Sequence, residues 1–159
     1  NINIFIFIYG AQMKIKIAFF KDRDNFFDDI IKWWTKSKYS HVEMIIQDKW
    51  ISSSPLDGGV HILDLHELDH NKYNYIEVNV DGRKIKKVQK YIESQKDAKY
   101  DIWGIFFGVL FNSGLEDKNK LFCSEMVTKI LQIFEVEEVS GLAPHKITPG
   151  DLAKIFGLE

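Results

Sequence analysis

Residues 40–47 read Ser40-His41-Val42-Glu43-Met44-Ile45-Ile46-Gln47, and this stretch decides the fold. Successive side chains of a β-strand point to opposite faces of the sheet. Val42, Met44 and Ile46 therefore share one apolar face, while His41 and Glu43 project together from the other. This alternation predicts a strand that carries two titratable side chains next to each other on one face.

Similar patterns on either side predict the rest of a sheet. Trp50–Ser53 predicts a second strand, which pairs with the first around a turn at Asp48-Lys49. Three further strands are predicted at 14–20, Val60–Leu65 and Tyr73–Val80. The first half of the chain is therefore expected to form mostly sheet.

Apolar residues at helical spacing predict one helix in the first half of the chain and dominate the second half. The helix in the first half contains Phe26 and Trp34 and lies before the central strand. Four more helices are predicted after the last strand: one that begins at Asp81, two at Ile102–Phe111 and Phe122–Phe134, and one that begins with the capping sequence Thr148-Pro149-Gly150-Asp151. Strands followed by helices predict an α+β fold.

We expect a single domain over residues 13–159. A chain of 159 residues suits one domain, and no internal repeat or low-complexity linker interrupts it. Met13 opens the alternation of lysine and isoleucine that predicts the first strand. Residues 1–12 are therefore expected to be an extension that is non-native or lies upstream of the true start.

The composition excludes several classes of protein. The 21 basic and 23 acidic side chains leave a formal net charge of −2, which does not supply the positive field that nucleic acids require. The longest apolar run, Ile4–Tyr9, is far shorter than the roughly 20 residues that span a bilayer. Cys123 is the single cysteine, so no intramolecular disulfide forms. We therefore expect a cytoplasmic protein without a nucleic-acid partner or a transmembrane segment.

Cys123 is the first candidate for chemistry. It lies in Leu121-Phe122-Cys123-Ser124-Glu125-Met126, where the first turn of a helix is predicted. Unpaired backbone N–H groups and the helix dipole stabilise an anion there, so they favour a thiolate and lower the pKa of the thiol. Cys123 also shares a helix face with apolar residues, and a small core residue is the alternative interpretation.

His41 supplies the second candidate, because an imidazole can take the proton of a thiol. Glu43 projects from the same face of the predicted strand, at a spacing that permits contact with His41. The alternative is that both residues belong to a solvated strand face.

A third pattern points to a metal. His66-Glu67-Leu68-Asp69-His70 matches H-E-x-x-H, which binds zinc only on a helix that places both histidines one turn apart. The predicted strands Val60–Leu65 and Tyr73–Val80 lie immediately before and after it. A polar surface turn is therefore favoured over a zinc site, and no metal or other cofactor is expected.

Several stretches of the chain occur in a characteristic order: Ile31–Ser37, Tyr39–Glu43, Trp50–Ser54 with Gly58-Gly59-Val60, Tyr100-Asp101, Phe122–Glu125 and Ile147–Leu152. In that order they resemble the circularly permuted NlpC/P60 group of papain-like cysteine hydrolases, many of which bacteria and their viruses encode. The resemblance covers about residues 14–155. It implies a permuted papain-like fold, with an antiparallel sheet packed against a helical layer, and the host cytoplasm as location if a phage encodes the chain.

The resemblance also implies roles for individual residues. Cys123 would be the nucleophile and His41 the base. In the family, a polar residue on the strand after the histidine orients the imidazole, and this position corresponds to Ser52 or Ser53. A serine cannot stabilise an imidazolium by charge, so Glu43 is the preferred third catalytic residue. The residues expected at the third position or along the site are Ser52, Ser53, Glu125 and Tyr100.

Three functions are consistent with these features. The first is a thiol hydrolase or acyltransferase that cleaves an amide, ester or thioester of a peptide, lipid or other acyl substrate through an acyl-enzyme. The second is a catalytically silent binding or structural module of the same fold. The third is a zinc protease of the H-E-x-x-H type.

Overall fold

The computed structural model of the chain describes residues 12–22, 26–54, 59–65, 69–96 and 122–159. These residues form one five-stranded sheet, whose strands are β1 (Met13–Phe20), β2 (His41–Ile46), β3 (Lys49–Ser54), β4 (Gly59–Asp64) and β5 (Tyr73–Val80). The strand order is β4-β3-β2-β1-β5, and each neighbouring pair is antiparallel.

The described residues also form four α-helices: α1 (Phe26–Thr35), α2 (Ile85–Lys96), α3 (Phe122–Ile133) and α4 (Pro149–Ile155). The predicted α+β fold is therefore confirmed, and its sheet is antiparallel. None of these helices is long and apolar enough to cross a bilayer.

The main core lies on one face of the sheet. Val42, Met44 and Ile46 of β2 are fully buried there, as their alternation predicts. They share this core with side chains of α2, α3 and α4, among them Val88, Ile92, Met126, Val127, Ile130 and Leu152. Burial of each such side chain contributes about 1.5–3 kcal/mol. This core fixes α3, and with it Cys123, against the sheet.

The opposite face of the sheet carries a second, smaller buried cluster. Its members are Ala18, Ile45 and Trp50, and Tyr73 and Tyr75 pack at its margin. By alternation along β2, His41 and Glu43 belong to the same face as Ile45. The sheet therefore separates an apolar core from a face on which titratable and aromatic residues lie together.

Two predicted boundaries differ in detail from the structure. The turn between β2 and β3 consists of Gln47 and Asp48, so Lys49 lies in β3; Gln47 adopts a φ of 55°, and two residues suffice to reverse the chain. Asp81 caps a short 3₁₀ turn at Gly82–Lys84, and α2 follows directly from it.

The prediction at Thr148 is confirmed as a full capping box. The Thr148 hydroxyl accepts from the backbone N–H of Asp151 at 3.0 Å, and the Asp151 carboxylate accepts from the backbone N–H of Thr148 at 3.0 Å. The predicted helix Ile102–Phe111 and residues 1–11 of the predicted extension lie outside the described residues.

Candidate active site

His41 is the first residue of β2, where the sheet meets the loop from α1. It pairs with Phe20 across β1, and the backbone N–H of Ser40 donates to the Phe20 carbonyl at 3.3 Å. The side chain of His41 is 22% exposed. The imidazole is thus held at a strand end, where part of it reaches solvent.

Cys123 is the second residue of α3 and is 4% exposed. Its sulfur lies within hydrogen-bonding reach of the His41 imidazole, and it accepts from the backbone N–H groups of Val42 and Ser124. The helix packs on β2 through the main core, and this packing brings the sulfur to the end of the strand. The two residues that the sequence proposes as nucleophile and base are therefore in contact.

The charges of Cys123 and His41 stabilise each other. Burial acts to raise the pKa of the Cys123 thiol, but the adjacent imidazole and the two backbone N–H groups outweigh burial, so this pKa is lowered. Burial acts to lower the pKa of His41, but the negative charges of Cys123 and Glu43 outweigh it, so this pKa is raised well above its ordinary value. The contact therefore favours negative charge on the sulfur and positive charge on the imidazole ring.

Glu43 is the third titratable group of the cluster. Its Oε1 lies 3.3 Å from Nε2 of His41, and the residue is 5% exposed. Burial acts to raise the pKa of this carboxyl, but the imidazole and the side chains of Ser52 and Trp50 lower it, with a net lowering. Glu43 is therefore a buried carboxylate that faces the side of the imidazole ring bearing Nε2.

The two serines considered for the third position lie in different places. The Ser52 hydroxyl is 3.5 Å from Nε2 of His41, on the same face of the sheet as Glu43. Ser53 follows on the opposite face; it is fully buried, and its hydroxyl has no hydrogen-bond partner within the described ranges. Ser52 is thus part of the cluster around His41, and Ser53 is not.

Glu125 and Tyr100 are the other two residues proposed along the site. Glu125 is half-buried in the first turn of α3, two residues after Cys123. Tyr100 lies outside the described residues.

Sequence reasoning placed Trp50 in a strand and missed its place beside the site. Trp50 is fully buried next to Glu43 on the same face of the sheet. The available signal was the period of two along β3, which puts Trp50 and Ser52 on one side. The missing information was the register of β3 against β2.

The H-E-x-x-H segment does not form a helix over its described end. His70 begins a 3₁₀ turn of three residues, and β5 starts at Tyr73. The His70 ring nitrogens contact the Tyr75 hydroxyl at 2.8 Å and the Leu65 carbonyl at 3.1 Å, so both are engaged by protein. Residues 66–68 lie outside the description. In the part of the chain that is described, no group of three His, Cys, Asp or Glu side chains is arranged to hold a metal.

No protein-family model matches the chain, and no curated protein is similar enough to count as a match. The contacts among Cys123, His41 and Glu43 are therefore the evidence for the chemistry of the site.

Proposed function

We propose that this chain is a cysteine hydrolase or acyltransferase, with Cys123 as nucleophile, His41 as general base and acid, and Glu43 as the residue that orients and charges the imidazole. One observation carries the proposal: the His41 imidazole interacts with both the Cys123 sulfur and the Glu43 carboxylate. The order of the histidine strand before the cysteine helix fits the permuted NlpC/P60 group that the sequence resembles.

The geometry suggests a two-step reaction. The Cys123 thiolate attacks the carbonyl carbon of an amide, ester or thioester, and the imidazolium of His41 protonates the leaving group as the bond to it breaks. The product of the first step is an acyl-enzyme, in which a thioester joins the acyl group to Cys123. Neutral His41 then takes a proton from a water molecule, or from an acceptor alcohol or amine, as the oxygen or nitrogen of that molecule attacks the thioester. The acyl group leaves on oxygen or nitrogen, and the thiolate and imidazolium return.

Glu43 supplies what serine at the third position cannot. A carboxylate stabilises the imidazolium by charge as well as by hydrogen bonding, and a hydrogen bond to a charged group contributes about 1.5–3 kcal/mol. Ser52 adds a neutral partner on the same side of the ring. This arrangement keeps His41 protonated until the leaving group departs.

The test uses the fact that Cys123 is the single cysteine of the sequence. The purified chain is incubated with nitrophenyl esters, thioesters and anilides that carry short or long acyl groups. The reaction is quenched, and the mass of the intact protein is measured by mass spectrometry. We expect an acyl adduct and turnover with the unmodified chain. Cys123→Ala should lose both, while Ser140→Ala, at an exposed position, keeps them.

A second function, the silent binding module, draws support from the burial of the sulfur, since Cys123 is only 4% exposed. It predicts a folded protein that forms no acyl adduct with any of these reagents. It also predicts that iodoacetamide modifies Cys123 more slowly in the native chain than in the chain unfolded in urea. Slow native labelling together with no adduct would reject the enzyme.

A further inference from the structure

Four buried side-chain atoms lack a hydrogen-bond partner among the described residues, and two of them belong to the face of the sheet that carries Glu43. These two are Oε2 of Glu43, an acceptor, and Nε1 of Trp50, a donor. A buried polar group without a hydrogen-bond partner destabilises the fold, because it has lost its hydrogen bonds to water. The two atoms are not hydrogen-bonded to each other in this structure, and an adjustment of the two side chains would let the remaining donor meet the remaining acceptor.

The strand register makes the two side chains neighbours. Trp50 lies directly opposite Ile45 in the pairing of β3 with β2, and Glu43 precedes Ile45 by two residues on the same face. Such diagonal neighbours have backbones about 7–8 Å apart, which long side chains bridge. The Trp50 side chain also contributes to lowering the pKa of Glu43, in addition to the larger effect of His41 and against that of burial.

The indole of Trp50 cannot turn to solvent. It is fully buried, and its ring meets Tyr73 edge-on with centroids 4.8 Å apart. The rings of His70 and Tyr75 also approach it edge-on, at 6.0 and 6.3 Å between centroids. Aromatic packing on this scale fixes the ring plane, so the N–H must find its acceptor within the cluster.

We propose that Trp50 is a positioning residue, whose indole N–H donates to the second oxygen of Glu43 and holds the carboxylate against His41. The inference rests on the proposed function, because it assigns Trp50 a part in charging the imidazole that activates Cys123. Trp50 would act on Cys123 only through Glu43 and His41. The other titratable groups that face Glu43 are His41 on its own strand and Tyr75 on β5, whose pKa is raised by burial and by the Glu43 charge.

The experiment measures the pKa of the Cys123 thiol without any substrate. The rate of alkylation by iodoacetamide is recorded against pH for the unmodified chain, Trp50→Phe, Glu43→Gln and Trp33→Phe. Phenylalanine keeps an aromatic ring and removes the N–H. Trp33 is 80% exposed on α1 and serves as the matched control.

We expect Trp50→Phe to raise the thiol pKa in the same direction as Glu43→Gln, so that alkylation at pH 6 falls roughly three- to tenfold. Trp33→Phe should leave the profile unchanged. A Trp50→Phe profile identical to that of the unmodified chain, with Glu43→Gln shifted, would overturn the inference and leave the proposed function standing. A thiol pKa that is not lowered in the unmodified chain would remove both.

A second measurement applies if Trp50→Phe does not fold. The indole N–H resonance of Trp50 is assigned by NMR in the unmodified chain and in Glu43→Gln. A hydrogen bond to a carboxylate predicts a downfield resonance that moves upfield when the neutral amide replaces the carboxylate, while the Trp33 resonance stays in place. An unmoved Trp50 resonance contradicts the proposal.

Discussion

Nε2 of His41 lies 3.3 Å from Oε1 of Glu43, and the two residues stand two positions apart on one strand. The acid that faces the imidazole is thus supplied by the strand that carries the imidazole. Formation of β2 alone places both side chains on one face, because alternate residues of a strand point the same way. The contact with Cys123 depends in addition on how α3 packs against the sheet.

His41→Gln should raise the pKa of the Cys123 thiol. The imidazole is the group that most strongly opposes the effect of burial on this thiol, so without it burial dominates and the thiol stays protonated at neutral pH. Alkylation by iodoacetamide below pH 7 should fall at least tenfold, which corresponds to one pKa unit or more. His145→Gln, at a half-buried position in another turn, is the control. Equal rates for His41→Gln and the unmodified chain would exclude the thiolate–imidazolium pair.

Glu43→Gln should destabilise the fold by about 2 kcal/mol near pH 6, because it removes one of the two negative charges that stabilise the buried imidazolium. The folded pKa of Glu43 is lowered, so its stabilisation is complete above the unfolded pKa of about 4.3 and is lost as pH falls through the folded value. The folded pKa of His41 is raised, so its stabilisation is complete below about 6.5 and is lost as pH rises through the folded value. The difference between variant and unmodified chain should therefore shrink toward pH 3.

Urea unfolding at pH 3, 6 and 7 measures this difference. Glu77→Gln is the control, since Glu77 forms an exposed ion pair with Lys14 at 3.1 Å and should have little effect. A Glu43→Gln penalty that stays constant from pH 6 to pH 3 would mean that the carboxylate charge is not what stabilises the fold.

Gly150→Ala should destabilise the fold by about 1–3 kcal/mol through overpacking. A Cβ at this position would lie 2.5 Å from Cβ of Ser37 and 2.8 Å from its hydroxyl oxygen. Ser37 lies in the loop that leads to His41, and its hydroxyl donates to the Glu159 side chain at 3.0 Å. Thermal unfolding measures the loss. Ser37→Gly removes the Cβ that opposes position 150, so the double variant Gly150→Ala/Ser37→Gly should recover part of the stability that Gly150→Ala loses. If the losses of the two single variants simply add in the double variant, the contact does not cause the destabilisation.

Thr148→Ala should lower the free energy of unfolding by about 1 kcal/mol, because it removes the hydroxyl that accepts from the backbone N–H of Asp151 at the start of α4. The loss should appear in chemical unfolding and leave the alkylation profile of Cys123 unchanged, since α4 contributes Leu152 and Ala153 to the core and no group to the site. Thr148→Ser keeps the hydroxyl and should restore most of the stability. A fully stable Thr148→Ala variant would show that the cap contributes little.

Local patterns along the chain predicted the strands and α-helices of the described residues, apart from details of their ends. The alternation in 40–47 predicted β2 and both of its faces, and the residues at 148–151 predicted the capping box, because faces and caps depend on neighbours within one turn or one pleat. The choice between Ser52 and Ser53 was beyond local reasoning. It depends on the side of β3 that faces His41, and pairing of β3 with β2 determines that side.

The sequence by itself determined that His41 and Glu43 share a face and that Cys123 lies in the first turn of a helix, since both follow from short-range patterns. Only the tertiary structure decided that the sulfur meets the imidazole and that Trp50 lies buried beside Glu43. These contacts join residues from separate elements, and they arise when α3, β2 and β3 exclude water from shared surfaces. That packing is a property of all the buried side chains together, and no single stretch of sequence encodes it.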